Sequence, residues 1–301
     1  ETLPLYVFAQ INDSFIQSAW KLEGGGDRMV SRMVDSIIAM GGTVRTNAKV
    51  TSIKAVSGKV SEVEVNGSET LKAGWVISDA HPAVTLSLVS DGLRKVYKER
   101  ISALDNTFGV FTANICLKPG GMVCPDGNIF IHREGIDLWH PDPSATESVM
   151  VHFYPEAQGS VTHLDLLSPM SFTSGNEDDK YSLSTTGKMV SSKGEPYEST
   201  KRWKLRECLD LVSSRLPWLE GSIESVSTST PLTYSRYTST PQGSAFGIRH
   251  DWRTPLRTIL SPRTPLKNLL FTGQSLNLHG LLGVSMTSIL TCREILGKDF
   301  I

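Results

Sequence analysis

Residues 268–296 read NLLFTGQSLNLHGLLGVSMTSILTCREIL. Asn268-Leu269-Leu270-Phe271-Thr272 is a short apolar run of buried-strand length that leads straight into Gly273-Gln274. Gly280 and Gly283 lie just ahead of a helical pattern over Val284–Leu296, which Gly297 ends. Strand, glycine turn and helix N-terminus together turn backbone N–H groups toward an anionic or electron-rich ligand. An ordinary strand–turn–helix packing unit has the same pattern, so spacing alone leaves both readings open.

Toward the start of the chain, Gly24-Gly25-Gly26 precedes a second helical pattern. Asp27 is the expected N-cap, Met29, Met33, Ile37 and Met40 recur at helical spacing beside Val30, Val34 and Ile38, and Gly41-Gly42 stops the run. The triple glycine lacks the GxGxxG or Lys-Ser/Thr context of a phosphate loop and reads as a flexible helix entry. From Thr43 to Ala80 the period changes to two. Val50, Ser52 and Lys54 alternate with Thr51, Ile53 and Ala55, Ser57-Gly58 makes a turn, and Val60, Val63 and Val65 lead to Asn66-Gly67, a strong hairpin signal. Trp75-Val76-Ile77 is expected as a short buried strand ending at Ser78-Asp79-Ala80, with Pro82 barring its continuation.

Between about residues 90 and 265 the pattern is different. A charged helical stretch, Leu93–Leu104, is followed by strand-like runs at Phe108–Leu117, Asn128–His132, Ser148–Tyr154 and Val161–Leu167. Ser171–Thr200 is expected as a long mobile loop, and Glu198–Leu216 as an amphipathic helix with Leu205, Cys208, Leu209, Val212 and Leu216 on one face, closed by Pro217.

Composition removes several function classes. With 30 Lys+Arg against 31 Asp+Glu in 301 residues, the chain has no field for holding phosphate backbones, so no nucleic-acid partner is expected. No apolar run reaches the roughly 18–20 residues of a membrane span. Cys116, Cys124, Cys208 and Cys292 fit neither a zinc pattern nor a disulfide framework. The seven histidines never reach i, i+4 spacing on a helix, and His132 and His152 read as half-buried strand residues, so no metal is expected.

Four stretches, in order, resemble the C-terminal part of the FAD-dependent phytoene desaturase, carotenoid isomerase and retinol saturase group of flavoproteins. They are Gly24–Ile53 (GGGDRMVSRMVDSIIAMGGTVRTNAKVTSI), Val76–Pro82 (VISDAHP), Thr230–Ile248 (TPLTYSRYTSTPQGSAFGI) and the tail, Asn268–Leu296. The resemblance implies an α/β (α+β) fold: an incomplete FAD/NAD(P)-binding Rossmann-like domain, residues 42–90 and 266–301, interleaved with a substrate domain, residues 1–41 and 91–265, on a mixed or antiparallel sheet. It places the backbone at Val50 by the adenine end of FAD, Ser78 and Asp79 after the strand passing near the dinucleotide, and Gly273 and Gln274 by the ribityl–pyrophosphate portion. It places Gly283, Val284 and Ser285 at a helix N-terminus facing the flavin ring, where partial positive charge favours the reduced ring. Tyr234, Tyr237 and Phe246 become candidate substrate-channel residues, although such aromatics also serve as ordinary core.

The family's opening βαβ unit, with its GxGxxG loop and ribose-binding acid, has no counterpart here. The chain opens Glu1-Thr2-Leu3-Pro4 without an initiator Met, and its first matching residues already belong to the middle of the family's chain. The expectation is a C-terminal fragment of a flavoenzyme, colourless and inactive alone. Its parent would exchange hydride between flavin and a C=C bond of a lipophilic polyene or isoprenoid. No triad, dyad or catalytic base stands out, so the catalytic residues stay unassigned. An amine-oxidase-like flavoenzyme and a non-catalytic apolar-ligand module are the alternatives; the first usually places aromatics at the flavin face, and none lies between Gln274 and Gly297. Self-association through uncovered apolar surface, peripheral membrane contact and a cytoplasmic or membrane-peripheral location complete the expectations.

Overall fold

The computed structural model describes residues 3–18, 20, 22, 25–120, 125, 127–137, 142, 145–155, 160–171, 182–183, 189–190, 196–297 and 299. The chain divides into two compact units, Glu1–Asp105 with Ile248–Ile301, and Asn106–Gly247. Two helices open the first unit, α1 (Leu5–Gln17) and α2 (Gly25–Ala39). Asp27 lies in the first turn of α2 rather than capping it, because the helix starts at Gly25. No residue of α2 is buried, and Val30, Met33, Ile37 and Ile38 are exposed.

Three antiparallel strands follow, β1 (Val50–Val56), β2 (Lys59–Val65) and β3 (Glu69–Leu71). Their turns take the expected residues: Ser57 and Gly58, then Asn66 and Gly67, all have positive φ, the conformation of a type I′ hairpin. Next come β4 (Val76–Ser78), α3 (Pro82–Leu88) and α4 (Lys95–Ser102).

The second unit is built on an antiparallel sheet of β5 (Gly109–Leu117), β6 (Ile129–His132), β7 (Ser148–Pro155) and β8 (Val161–Met170). The short β9 (Ser182–Leu183) and β10 (Met189–Val190) pair with one another. The rest of the expected loop at 171–200 lies mostly outside the described residues, but residues 196–200 are helical, since α5 runs Pro196–Ser213. A single turn, α6 (Leu219–Ser222), leads to β11 (Ile223–Ser229), which completes the order β11-β5-β8-β7-β6, and to α7 (Pro231–Thr238). Phe111, Ala113 and Ile115 of β5, Leu164 and Leu166 of β8, and Val149, Val151 and Phe153 of β7 pack with Cys208 and Val212 of α5. His152 is half-buried, but His132 is exposed, since it ends β6 on the face away from this core.

The chain returns to the first unit through α8 (Pro255–Thr258), β12 (Leu269–Phe271) and α9 (Gly280–Leu296). The expected domain limits near 90 and 265 therefore move to 105 and 247. Leu86, Ile101, Leu104, Ile248, Leu260, Phe271 and Leu276 form one apolar cluster, so α4 and residues 248–265 belong with β12. The composition change at residue 90 marks a loop and no core boundary.

Asn268, 8 % exposed, fastens this unit. Its Oδ1 accepts from the Val60 N–H at 2.7 Å, while its Nδ2 donates to the carbonyls of Val60 at 3.0 Å and Gly74 at 3.2 Å. Its own carbonyl accepts from the Val76 N–H at 2.8 Å. One side chain thus acts as a strand partner to β2 and aligns β4 with β12. Replacing Asn268 by Ala leaves buried backbone groups of Val60 unpaired and is expected to lower the unfolding free energy by about 2–4 kcal/mol. Urea denaturation checks this, and a loss below about 1 kcal/mol would mean that the clamp holds little.

Candidate functional site at the carboxyl ends of two parallel strands

β4 and β12 pair in parallel, Val76 with Leu269, Ile77 with Leu270 and Ser78 with Phe271. The Thr272 N–H extends the ladder to the Ser78 carbonyl at 3.0 Å. Both strands therefore end at one level, which sets Asp79 beside Gly273. Ligands of open α/β sheets bind at this end of the strands. β12 is buried throughout, but β4 is not the buried strand expected: Trp75 is 43 % and Ile77 48 % exposed. Among the described residues β4 has one strand neighbour, β12.

Gly273 has φ +91°, and a Cβ added there would lie 1.9 Å from Asp79 Oδ1. The close approach of the two loops requires glycine at this position. Asp79 keeps an open side, yet surrounding protein desolvates its carboxyl and raises its pKa above the ordinary value. Ser78 Oγ shares a 2.7 Å hydrogen bond with the buried Thr85 Oγ1, and His81 caps α3 by accepting from the Ala83 N–H through Nδ1 at 3.2 Å. Gln274 is half-buried in the turn that follows.

Helix α9 begins earlier than its sequence pattern indicated. Gly280, with φ +74°, brings the chain into the helix after His279, so Gly283, Val284 and Ser285 lie about a turn inside. The N–H groups without an intrahelical partner belong to the turn around Gly280–Leu282. Gly283 serves packing: a Cβ there would meet the Leu278 carbonyl carbon and oxygen at 2.3 Å. With Thr287 and Thr291 it forms the buried stripe of α9, and Thr291 Oγ1 donates to the Phe271 carbonyl at 3.0 Å.

The remaining candidates fall elsewhere. Val50 packs its side chain on the cluster of Ile53, Val60, Val89, Leu266 and Leu269. Tyr234, Tyr237 and Phe246 belong to the second unit. Tyr234 Oη shares a 2.7 Å hydrogen bond with Thr112 Oγ1, Phe246 meets Phe108 edge-on at 5.9 Å, and Tyr237 is 79 % exposed. A small cavity of about 130 Å³, lined by Asp105, Arg249, Asp251 and Arg257 among others, lies beside the end of α4. Among the described residues no group of His, Cys, Asp and Glu can hold a metal, and no helix is long and apolar enough to cross a membrane.

Sequence reasoning passed over Asn268, Thr85, His250 and His279, which stands at the N-cap position of α9. His250 is 6 % exposed, and its Nδ1 has no hydrogen-bond partner among the described residues. Desolvation lowers its pKa, the nearby His279 adds to the effect, and a backbone hydrogen bond to Thr258 opposes it. Folding therefore favours the neutral ring. The resulting stability is full above the unfolded value of about 6.5 and is lost as pH falls below it. Unfolding free energies between pH 7.5 and 5.5 are expected to decline toward acid, with a shallower slope in His250→Gln; an unchanged slope would remove this assignment.

The mixed α/β fold, with its parallel β4–β12 pair, is similar to the Rossmann-like folds of solved oxidoreductase structures. A putrescine oxidase structure matches with TM-score 0.55 and 13 % identity over 91 % of this chain and 53 % of its own. An oxidoreductase from Methanosarcina mazei matches with TM-score 0.51 and 15 % identity over 88 % of this chain and 53 % of its own. Among curated proteins the relatives are named all-trans-retinol 13,14-reductase. That of Danio rerio is 25 % identical over 317 residues, 95 % of this chain and 51 % of its own length. These names bear out the resemblance read from the sequence. The chain spans about half the length of the curated relatives it matches. No family model matches it.

Replacing Gly273 by Ala forces a methyl group onto the Asp79 carboxylate at a positive φ. The expected cost is about 1–3 kcal/mol of stability, read by thermal denaturation. Gly273→Ala combined with Asp79→Gly should recover part of it; no recovery would argue against this contact.

Proposed function

We propose that this chain serves an FAD-dependent oxidoreductase acting on a C=C bond of a lipophilic polyene or isoprenoid. The observation that carries the reading is the meeting of Asp79 and Gly273 at the carboxyl ends of β4 and β12, one turn of chain ahead of the α9 N-terminus. The residues present fit part of a dinucleotide. The absent Cβ at Gly273 lets the Asp79 carboxylate close on this turn, a Cβ at Gly280 would meet nothing within 4 Å, and the first turn of α9 offers N–H groups to an electron-rich edge. Asp79, its carboxyl partly desolvated, suits hydrogen bonding to ligand hydroxyls.

A bound flavin would supply hydride exchange. The chain's own part is to position it: the Ser78–Thr85 hydrogen bond and the His81 cap hold the turn after β4, and the Gly283 packing fixes the α9 N-terminus. The relatives' name supports a polyene substrate, with reduction as the direction. The amine oxidases share the fold, but the tail lacks their aromatic flavin face.

The reading is tested on the full-length product of the gene, purified and scanned for flavin absorbance. A stoichiometric yellow protein that Gly273→Ala bleaches by at least tenfold in flavin affinity is expected. A full-length product that takes up no flavin would overturn the assignment. Exposed Leu282, Met286, Ile289 and Leu290 on α9 motivate a second expectation, concentration-dependent self-association of this chain. Sedimentation at several concentrations checks it, and a monomer throughout would count against it.

A further inference from the structure

In the second unit, the sheet face opposite α5 carries a polar row that crosses four strands in register and reaches the residue ahead of the fifth. Ser227 of β11 pairs with Asn114 of β5, Asn114 with Asp165 of β8, and Asp165 with His152 of β7. His152 Nδ1 then meets Asn128 Oδ1, one residue before β6, at 2.7 Å. Adjacent strands are about 4.8 Å apart, so the row runs roughly 19 Å. Tyr154, two residues along β7 from His152, donates to Asp165 Oδ2 at 2.6 Å and stacks edge-on against the His152 ring at 4.6 Å. Burial and the Asp165 carboxylate raise the Tyr154 pKa, so the phenol remains a fixed donor. Asp165 Oδ1 takes no hydrogen bond among the described residues.

The face is not polar throughout. The next row along the strands is Thr112, Leu167, Met150 and Phe130, and Phe130 is 62 % exposed. Tyr234 closes one end of that row through its bond to Thr112. An acceptor carboxylate thus lies beside an apolar strip on the same face.

We infer that this face binds a long apolar molecule bearing a terminal alcohol, its hydroxyl donating to Asp165 and its chain lying along Leu167, Met150 and Phe130. The inference rests on the proposed polyene reading for its choice of ligand and deepens it by naming what recognises the polar end. The Tyr154 bond holds one carboxylate oxygen and orients the other. An ester of the same alcohol has no proton to donate and forgoes this charge-assisted hydrogen bond.

The test uses this chain without flavin, titrated with all-trans-retinol and with all-trans-retinyl acetate, and read by ligand fluorescence. Retinol is expected to bind about tenfold more tightly than the acetate. Asp165→Asn should weaken retinol about tenfold and erase the preference, and Tyr154→Phe should reduce it. Phe130→Ser should weaken both ligands alike, and substitution of the exposed Leu256 of the first unit, Leu256→Ala, should change neither. Melting curves establish that each variant folds. Equal binding of the two ligands, a preference that survives Asp165→Asn, or no saturable binding overturns the inference. Because no flavin enters this titration, a full-length product without flavin would fail the proposed function and leave this result standing.

Discussion

Asn268 carries the first unit. Its side chain is bonded to β2 and to Gly74, and its carbonyl starts the β4 ladder, so three chain segments far apart in sequence meet at one buried amide. A parallel pair of three-residue strands is too short to fix its own register by side-chain pattern. The amide fixes it, and with the register comes the level at which both strands stop. Everything at the candidate site follows from that level: Asp79 over Gly273, the Ser78–Thr85 bond behind them, and the turn that delivers α9.

The sequence was most legible where one residue type is demanded by local geometry. Asn66-Gly67 and Ser57-Gly58 announced their turns because positive φ restricts the choice. Alternation located β1 and β2, and strand-like runs located β5, β7 and β8, since one face of each packs in a core. It was least legible where the pattern is set by remote partners. β11 reads IESVSTS, with two apolar residues, and is a strand because β5 needs an edge neighbour. The start of α9 was misplaced because Gly280 and Gly283 look alike in sequence, although one opens the helix and the other packs against Leu278.

The candidate site divides along the same line. Ser78, Asp79, Gly273 and Gln274 are what the family resemblance implies, and the parallel pairing sets Asp79 against Gly273. Tyr234 and Phe246 belong to the family-like segment, and what that segment adds is a hydroxyl bonded to Thr112 on the sheet face opposite α5. That face could not be read in advance. Asn114, Asp165, His152 and Asn128 lie on separate stretches of chain, and only strand register makes them a row.

Helix α9 is amphipathic in the reverse sense. It turns Gly283, Thr287 and Thr291 inward and Leu282, Met286, Ile289 and Leu290 outward. Its attachment to β12 therefore draws on hydrogen bonding and close backbone contact more than on removal of hydrocarbon from water. Such an attachment contributes little to the heat capacity of unfolding, which scales with apolar area exposed. Hydrophobic contacts weaken on cooling, and this one does not share that dependence. The helix that fixes one wall of the candidate site should thus stay docked at low temperature while the apolar clusters around it lose part of their driving force.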